Sequence, residues 1–319
     1  MAPEISVIIP TYNRRAMVRE AIASVLAQRD ASFELIVADD GSTDGTWNDL
    51  LKPQPHVRAI RTAHRGPAAA RNRGLAAAEG RLIAFLDSDD LWMADKLKRQ
   101  SEFMSARRDC AISQTAERWL RNGRRVNPGR RHLKRAGEIF ADSLRTCLIS
   151  PSAVMLRREL LEEIGAFDED MSACEDYDLW LRIMVRHEAG LIDEPLVTRR
   201  AGHPDQLSAS IPALDRFRIL ALAKLLTDTA LVGGRRQAAA RVMREKCRIY
   251  AKGLLRRGHS EAAAFFDKLS CLALERSERG PHADLDEAIT RMRVMLKDHV
   301  PSVLATTPVH EDAQEGARQ

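Results

Sequence analysis

The strongest chemical signal in this sequence is a group of carboxylates directly after an apolar run. In Arg81–Trp92, RLIAFLDSDDLW, the residues Asp87, Asp89 and Asp90 fall within four positions. Ionised carboxylates this close repel one another, which raises their proton affinity unless a cation joins them. Mg²⁺ or Mn²⁺ prefers oxygen ligands and commonly uses one or two carboxylates with substrate phosphates. We therefore predict a divalent metal site, although a solvated turn or helix cap is the plainer alternative.

Two further polar clusters also follow short apolar runs. Thr11–Asn13 come after ISVIIP, and Asp39–Asp44 come after FELIVA. Gly41 and Gly45 permit tight turns and close backbone approach, and a carboxylate here could accept hydrogen bonds from a base or ribose. An Asx-type turn without a ligand explains the same residues equally well.

The first hundred residues alternate strand and helix signals. Continuous apolar runs such as Ile5–Pro10 are typical of parallel strands buried on both faces, and the periodic stretch Arg14–Gln28 predicts a helix. Further strands are predicted in 33–46, in 57–63 and before Asp87, with an Ala-rich helix in 67–80. This alternation predicts an α/β fold with an open, mostly parallel sheet and helices on both faces. Ligands of such sheets bind outside the carboxyl ends of the strands, so we expect the three polar clusters on one rim.

The second part of the chain carries mixed signals and then only helical ones. We predict a helix in 95–108 and a hairpin or flexible loop in 118–135. Residues 150–170 should form a strand and then a helix that ends at Gly165. A further helix is predicted in 173–187, and strands flanking Pro195 are predicted in 190–202. Beyond Pro212, periodic runs of about 13 to 24 residues predict an antiparallel helical bundle.

Charge is distributed unevenly along the chain. Residues 1–212 carry 31 positive and 31 negative side chains, whereas 213–319 carry 19 and 14, so the net charge of +5 lies in the C-terminal third. A basic surface suggests an anionic partner, either phospholipid headgroups or a phosphorylated molecule, although solvated Arg-rich helix faces are a common alternative. The helices could equally pair two subunits through an apolar face.

Aromatic residues are sparse among the basic ones and no helix-turn-helix or zinc signature occurs, so no nucleic-acid partner is predicted.

Targeting signals and cysteine usage predict a cytoplasmic protein. The N-terminus lacks the basic and apolar regions of a signal peptide, and no window has the roughly 18 apolar residues of a spanning helix. The five cysteines are scattered, with no CxxC pair or zinc-ligand spacing, as expected of a reduced protein.

Four ordered motifs carry a family resemblance. ISVIIPTYNRR, ELIVADDGSTDGT, GPAAARNRGLAAAEGRLIAFLDSDD and EDYDLWLR resemble family 2 glycosyltransferases of the A-type (GT-A), Rossmann-like nucleotide-diphospho-sugar transferase fold, over roughly residues 4–205. The resemblance implies inverting transfer of a sugar from a nucleoside-diphosphate donor, expected to be a UDP-sugar, to an acceptor hydroxyl, assisted by Mn²⁺ or Mg²⁺. Similar bacterial enzymes often build surface polysaccharide on lipid-linked acceptors, which would bring the basic helices to the inner face of the plasma membrane.

The resemblance implies a nucleotide site at the ends of the first strands. Pro10, Thr11 and Tyr12 match the segment that lines the nucleoside pocket. Asp40 matches the carboxylate that contacts the base, and Arg71 matches a basic residue near the nucleotide.

A metal site is implied at the predicted acidic cluster. Asp87, Ser88 and Asp89 match the DxD element that holds the ribose and the diphosphate-bound metal, and Asp90 adjoins it. His203 stands where similar enzymes sometimes place a further metal or phosphate contact, although a loop histidine before proline is more often simply exposed.

The catalytic base is implied to be Asp176, with Glu175 adjoining it. Displacement of a nucleoside diphosphate requires neutralisation of the leaving group's charge, which a metal provides, and removal of a proton from the acceptor hydroxyl by one carboxylate. Because no separate protein nucleophile is implied, one in-line displacement inverts the anomeric carbon. Helix capping is the alternative explanation for Asp176.

Two other functions use similar residues. A nucleotidyltransferase should usually show a Gly-rich basic loop after the first strand, whereas PTYNRR has no glycine. A catalytically silent sugar-nucleotide-binding module could lose the Glu-Asp pair, which this chain retains.

The predicted domain organisation follows from these motifs. A catalytic domain at 1–212 divides into a nucleotide-sugar-binding part at 1–109 and an acceptor-binding part at 110–212. An all-α C-terminal appendage follows at 213–302, and the tail at 303–319 is predicted to be disordered.

Overall fold

The protein was analysed as a computed structural model, in which residues 3–203, 206, 211–279 and 283–297 are described. The predicted disordered tail at 303–319 lies outside these residues. Within them, nine strands form one sheet in the order β3-β2-β1-β4-β8-β6-β9-β5, with β7 paired to β6. Helices cover the sheet, so the predicted α/β class is confirmed.

Parallel strands form the first half of the sheet. They are β1 (Ile5–Thr11), β2 (Phe33–Asp39), β3 (Val57–Arg61) and β4 (Leu82–Phe85). Every residue of β1 is buried, as its apolar run predicts for a strand covered on both faces. The intervening helices are α1 (Arg15–Leu26), α2 (Thr46–Leu50) and α3 (Pro67–Ala77), and α4 (Lys96–Ala106) follows the short strand β5 (Leu91–Trp92).

The second half of the sheet is mixed, so its predicted parallel character holds only for β1 to β4. Strand β8 (Val154–Arg157) runs antiparallel to β4 and to β6 (Ile112–Arg121), whereas β9 (Ala189–Ala201) runs parallel to β6. The predicted hairpin is formed by β6 and β7 (Arg124–Val126). Two strands were expected around Pro195, but β9 is continuous there. The register shifts beside this residue, and such a bulge accommodates a proline that cannot donate a ladder hydrogen bond.

Three helices belong to the second half of the catalytic region. They are α5 (Phe140–Ser143), α6 (Arg158–Ile164) and α7 (Glu175–Met184). Helix α6 ends at Gly165, as predicted, with a φ of 86°. The amphipathic helix α7 buries Leu179, Trp180 and Ile183, which fixes its first turn at the edge of the core.

Four C-terminal helices occur among the described residues, as predicted. They are α8 (Asp215–Thr227), α9 (Gly233–Arg256), α10 (Ser260–Arg279) and α11 (Ala283–Lys297). One continuous cluster of buried residues extends from Ile8 of β1 through Trp180 of α7 to Met292 of α11. The helices therefore share the core of the catalytic region, and the domain boundary at 212 stays a prediction. Within the described part of the chain, no helix is long and apolar enough to cross a membrane.

Candidate active site

The three predicted polar clusters meet at one edge of the sheet. Thr11 pairs with Asp39 where β1 and β2 end, and Ile8 pairs with Phe85 at the end of β4. The segment that begins at Asp87 therefore emerges beside the other two clusters. This convergence follows from the parallel order β2-β1-β4, because neighbouring parallel strands end at the same edge.

Asp87, Asp89 and Asp90 form a compact carboxylate cluster. Each provides an oxygen that lies within 4.8 Å of those of the other two. Asp90 is the buried member, and its carboxylate accepts hydrogen bonds from Ser152 Oγ at 2.6 Å and from the backbone N of Arg200 at 2.9 Å. Burial raises the pKa of Asp90, and the charges of Asp89 and Asp87 raise it further. The predicted mutual repulsion is therefore present.

Two arginines offset part of this repulsion, and one histidine also contacts the cluster. Arg71 Nη2 lies 2.7 Å from Asp87 Oδ1. Arg14 Nη1 and His203 Nε2 each lie 2.9 Å from Asp89 Oδ2. His203 is thus placed at the acidic cluster, as the resemblance implied, and its role as a metal ligand stays a prediction.

The donor set of the cluster fits a hard divalent cation. The side chains of Asp87 and Asp89 remain 30% and 14% exposed, so their oxygens are accessible from solvent. Ser88, between them, is buried. Carboxylate oxygens at this spacing are the ligands that Mg²⁺ and Mn²⁺ prefer, and a bound cation would remove the repulsion that raises the pKa of Asp90.

Arg71 connects the acidic cluster with the second acidic motif. Its guanidinium donates to Asp87 at 2.7 Å and to Glu175 Oε1 at 2.5 Å, and it lies over the ring of Phe167 at 5.3 Å. Burial alone would lower the pKa of Arg71. The carboxylates of Asp87 and Glu175 outweigh this effect of burial, so the pKa of Arg71 is raised. The residue predicted to lie near the nucleotide therefore holds the segment at Asp87 against the start of α7.

Glu175 and Asp176 point in different directions from the start of α7. Glu175 is buried against Arg71, and burial raises its pKa although Arg71 opposes this effect. Asp176 is half-buried, with Oδ1 accepting from the N of Tyr177 at 2.7 Å and Oδ2 lying 3.5 Å from Cys147 Sγ. Because the side chain of Asp176 is only half-buried, its carboxylate is accessible to a hydroxyl whose proton it could accept.

The segment predicted to bind a nucleoside contains a stacked aromatic pair. The rings of Tyr12 and His64 lie 3.8 Å apart with an angle of 13° between their planes. His64 Nδ1 contacts Asp40 Oδ2 at 2.7 Å, and the carboxylate of Asp40 also accepts from the N of Arg65 at 2.9 Å and of Gly66 at 2.8 Å. Asp40 thus positions the loop before α3, and its predicted contact with a base stays a prediction.

Buried polar atoms without a protein partner surround this segment. Among the described residues, Thr11 Oγ1, Asp39 Oδ1 and His64 Nε2 make no hydrogen bond. Buried polar groups usually have partners, so these atoms fit a ligand with its own donors and acceptors. Pro10 is buried beneath them in β1. Gly41, with a φ of 79°, brings the backbone close, since a Cβ there would lie 3.1 Å from the N of His64.

Comparison with known families identifies the chain. The family described as glycosyl transferase family 2 matches residues 6–165. The chain belongs to glycosyltransferase family 2. An uncharacterized glycosyltransferase of Rickettsia felis is 36% identical over 195 residues, which cover 60% of this chain and 32% of that protein. The chain therefore spans about a third of the length of this relative.

A curated family 2 relative carries a specific name. The UDP-Glc:alpha-D-GlcNAc-diphosphoundecaprenol beta-1,3-glucosyltransferase WfgD of Escherichia coli is 35% identical over 185 residues, covering 56% of this chain and 69% of that protein. This family 2 glycosyltransferase is thus related to an enzyme named as a glucosyltransferase that acts on a diphosphoundecaprenol-linked sugar.

Solved structures show that the fold is the GT-A fold. S. aureus TarS 1–349 in complex with UDP-GlcNAc has a TM-score of 0.64 at 19% identity, over 93% of each chain. The mannosyltransferase PcManGT of Pyrobaculum calidifontis, in complex with GDP-Man and Mn²⁺, has a TM-score of 0.53 at 20% identity, over 93% of this chain and 86% of that one.

A second charged group in this glycosyltransferase was not predicted from the sequence. Glu117 and Lys134 form a buried ion pair at 3.2 Å, and Ser150 donates to Glu117. Trp119 Nε1 also donates to Glu117 at 2.9 Å, and Arg199 lies 4.9 Å above the Trp119 ring. The motif search missed these residues because they come from four separate segments and share no spacing. Their common signal is only that charged side chains occur within otherwise strand-like runs.

Proposed function

We propose that this family 2 glycosyltransferase transfers a sugar from a UDP-sugar to a hydroxyl of a lipid-linked glycan, with inversion and with a divalent cation. The observation that carries the proposal is the connection of Asp87, through Arg71, to Glu175, the residue before Asp176. The carboxylate of Asp87, in the proposed cation site, and the buried carboxylate of Glu175, which precedes the proposed base, lie on either side of one buried guanidinium.

Donor binding is assigned to the ends of β1 and β2. Tyr12 supplies an aromatic face for a base, and the unpartnered Thr11 Oγ1 and Asp39 Oδ1 supply polar contacts. UDP is proposed because TarS, which has the same fold, was solved with UDP-GlcNAc. The sugar itself is left open, because hydroxyl configuration is recognised by contacts that depend on the bound donor.

Cation binding is assigned to Asp87 and Asp89, with Asp90 and His203 beside them. A bound Mn²⁺ or Mg²⁺ would supply charge neutralisation for the departing diphosphate. Asp90 holds the segment in place through Ser152 and the N of Arg200. The Mn²⁺ bound by PcManGT supports this assignment.

Proton removal is assigned to Asp176. Its carboxylate lies at the start of α7, is half-buried, and can accept the proton of an acceptor hydroxyl. Cys147 is the nearby thiol, but burial and the charge of Asp176 raise its pKa well above the ordinary range. A protonated thiol is a poor nucleophile, which supports direct displacement by the acceptor and hence inversion.

The acceptor is proposed from a relative whose name specifies a diphosphoundecaprenol-linked sugar. Three further properties stay predictions: cytoplasmic localisation, peripheral contact with the inner face of the membrane, and a homodimer formed through the C-terminal helices.

Calorimetric titration with UDP, with and without Mn²⁺, tests the donor and cation sites. We expect Mn²⁺ to strengthen UDP binding at least tenfold, which corresponds to about 1.4 kcal/mol, and Asp89→Asn to abolish this effect. The exposed residue Asp95 provides the control variant Asp95→Asn, which should behave like the wild type. A wild-type affinity for UDP that is the same with and without Mn²⁺ would contradict the proposal.

Turnover tests the base and separates an enzyme from a silent module. Asp176→Asn should lower kcat by about 10²-fold or more while UDP affinity stays unchanged, and Glu162→Gln, at an exposed position of α6, should leave both unchanged. Product analysis by NMR should show an inverted anomeric carbon. Retained turnover in Asp176→Asn would show that another group removes the proton.

A further inference from the structure

The exposed side of α9 carries a row of five cations. Arg241, Arg244, Arg248, Lys252 and Arg256 are all exposed, whereas Ala239, Met243, Cys247, Ala251 and Leu254 of the same helix are buried. At 3.6 residues per turn, the five cations fall within an arc of about 120° and extend over about 22 Å. We call this surface the basic face; it contains most of the surplus positive charge of the C-terminal third.

The positive charge of the basic face is not cancelled by the protein. Within the described part of the chain, none of its five cations forms an ion pair. The single acidic residue on this side, Glu245, is bound by Arg145 at 2.9 Å, and the hydrogen bond from Arg145 lowers the pKa of Glu245. Lys246, at the border of the face, is bound to Asp215 at 2.9 Å.

Large apolar side chains lie at the same surface. Ile249 is 61% exposed and Leu255 is 54% exposed. The side chains of Arg241, Arg244 and Arg248, with Glu245 and Ile249, line a shallow, open groove of about 410 Å³. Cations and exposed aliphatic residues on one helix side are the combination that binds the interface of an anionic bilayer.

A short connection joins the basic face to the candidate base. Arg145 contacts Glu245 on α9, and Cys147, two residues later, lies 3.5 Å from Asp176 Oδ2. Two residues of extended chain span at most about 7 Å. The acceptor side of the active site therefore lies close to the basic face.

We propose that the basic face of α9 docks on a membrane surface of anionic phospholipids. The inference deepens the proposed function and rests on it in one respect, because docking would bring Asp176 close to the plane in which a lipid-linked acceptor lies. The lipid phosphates would occupy the groove between the arginines, and Ile249 and Leu255 would enter the headgroup region.

The shape of the basic face favours a bilayer over other anionic partners. Its charges are spread over about 22 Å of helix, which exceeds the size of one phosphate group and matches an extended charged plane. Among the described residues of this face, no aromatic side chain is available to stack on bases, as single-stranded nucleic-acid sites require.

Vesicle flotation with the full chain tests the proposal. Vesicles of phosphatidylglycerol and phosphatidylcholine in equal parts should bind the wild type, and pure phosphatidylcholine vesicles should not. A basic residue near an anionic surface strengthens binding about fivefold, so Arg241→Gln/Arg244→Gln/Arg248→Gln should reduce the partition coefficient on the order of 100-fold. High salt screens the electrostatic contribution to vesicle binding. Ile249→Ser/Leu255→Ser should therefore lower the partition coefficient that is measured at high salt.

A matched control separates this face from net charge. Arg19→Gln/Arg29→Gln/Arg108→Gln removes three exposed charges from other helices and loops and should retain vesicle binding. Circular dichroism and thermal unfolding establish that both triple variants are folded. Equal losses in the two variants, or no binding by the wild type, would overturn the proposal, and so would binding to duplex DNA that is stronger than binding to vesicles.

The assay contains no donor, metal or acceptor, so its result is independent of turnover. Vesicle binding without sugar transfer would refute the proposed function and leave docking intact. Transfer to a water-soluble acceptor without vesicle binding would refute docking and leave the function intact.

Discussion

Arg71 Nη1 donates a 2.5 Å hydrogen bond to Glu175 Oε1 in the interior of the catalytic region. The two residues are 104 positions apart, so this ion pair closes a long segment of chain around the active site. Burial raises the pKa of Glu175, and the charge of Arg71 opposes that rise.

Removing Arg71 alone should therefore be costly. Arg71→Met leaves Glu175 buried without a partner and should lower the free energy of unfolding by about 3 kcal/mol. Arg71→Met/Glu175→Gln removes both charges and should be more stable than Arg71→Met. Urea unfolding of the wild type, both single variants and the double variant measures the coupling. Additive losses would show that the pair does not interact in solution.

Lys96 provides a second test of burial. It is fully buried, with Nζ 3.8 Å from the centre of the Trp92 ring and 3.4 Å from the carbonyl of Val154. Burial lowers its pKa well below the ordinary value of 10.5. Lys96→Met, which keeps the side-chain length and removes the charge, should raise the free energy of unfolding at pH 7 by about 1 kcal/mol or more.

The pH dependence of Lys96 has a definite sign. The pKa of Lys96 is lower in the folded protein than in the unfolded chain. As the pH falls below 10.5, the unfolded chain therefore binds the proton first. The free energy of unfolding decreases until the pH reaches the folded pKa. Lys96→Met should remove this loss. The free energies of unfolding of the wild type and of Lys96→Met should therefore become similar in strongly alkaline solution. Lys268→Met, at an exposed position of α10, serves as the control. A less stable Lys96→Met at neutral pH would indicate that the contact with Trp92 outweighs the desolvation.

The stacking of Tyr12 on His64 predicts a specific effect on the nucleotide. Tyr12→Ala should weaken UDP binding roughly tenfold, since stacking on a base is worth about 1–3 kcal/mol, whereas Tyr12→Phe should retain most of the affinity. Titration calorimetry with UDP and with uridine measures both. An unchanged affinity in Tyr12→Ala would remove Tyr12 from the nucleoside site.

Sequence reasoning located the rim but not the contacts across it. The apolar runs that end at Thr11, Asp39 and Phe85 are sufficient to predict that the three polar clusters lie together, because neighbouring parallel strands end at one edge of the sheet. The pairing of Arg71 with Glu175 could not be predicted, since the orientation of two distant elements depends on packing of the whole core. The continuous strand through Pro195 was missed because a bulge depends on the neighbouring strand, and β6 shows no local signal for it.

Asp168 links the C-terminal helices to the segment before Asp176. Its carboxylate accepts hydrogen bonds from Lys224 Nζ of α8 at 2.6 Å and from Arg293 Nη2 of α11 at 2.8 Å. Burial works against its charge, but Lys224 and Arg293 outweigh burial and lower the pKa of Asp168. The segment that leads into α7 is thus fixed by two helices from the end of the chain.

Asp168→Asn should consequently destabilise the protein in a pH-dependent way. A depressed folded pKa contributes stability that is complete above the ordinary value of 3.8 and is lost as the pH falls through the folded pKa. We expect a loss of about 2 kcal/mol at pH 7 that disappears in strong acid, measured by urea unfolding at several pH values. Asp193→Asn, at an exposed position of β9, should change nothing. A loss that is the same at every pH would mean that Asp168 acts through packing and that its ion pairs with α8 and α11 contribute little.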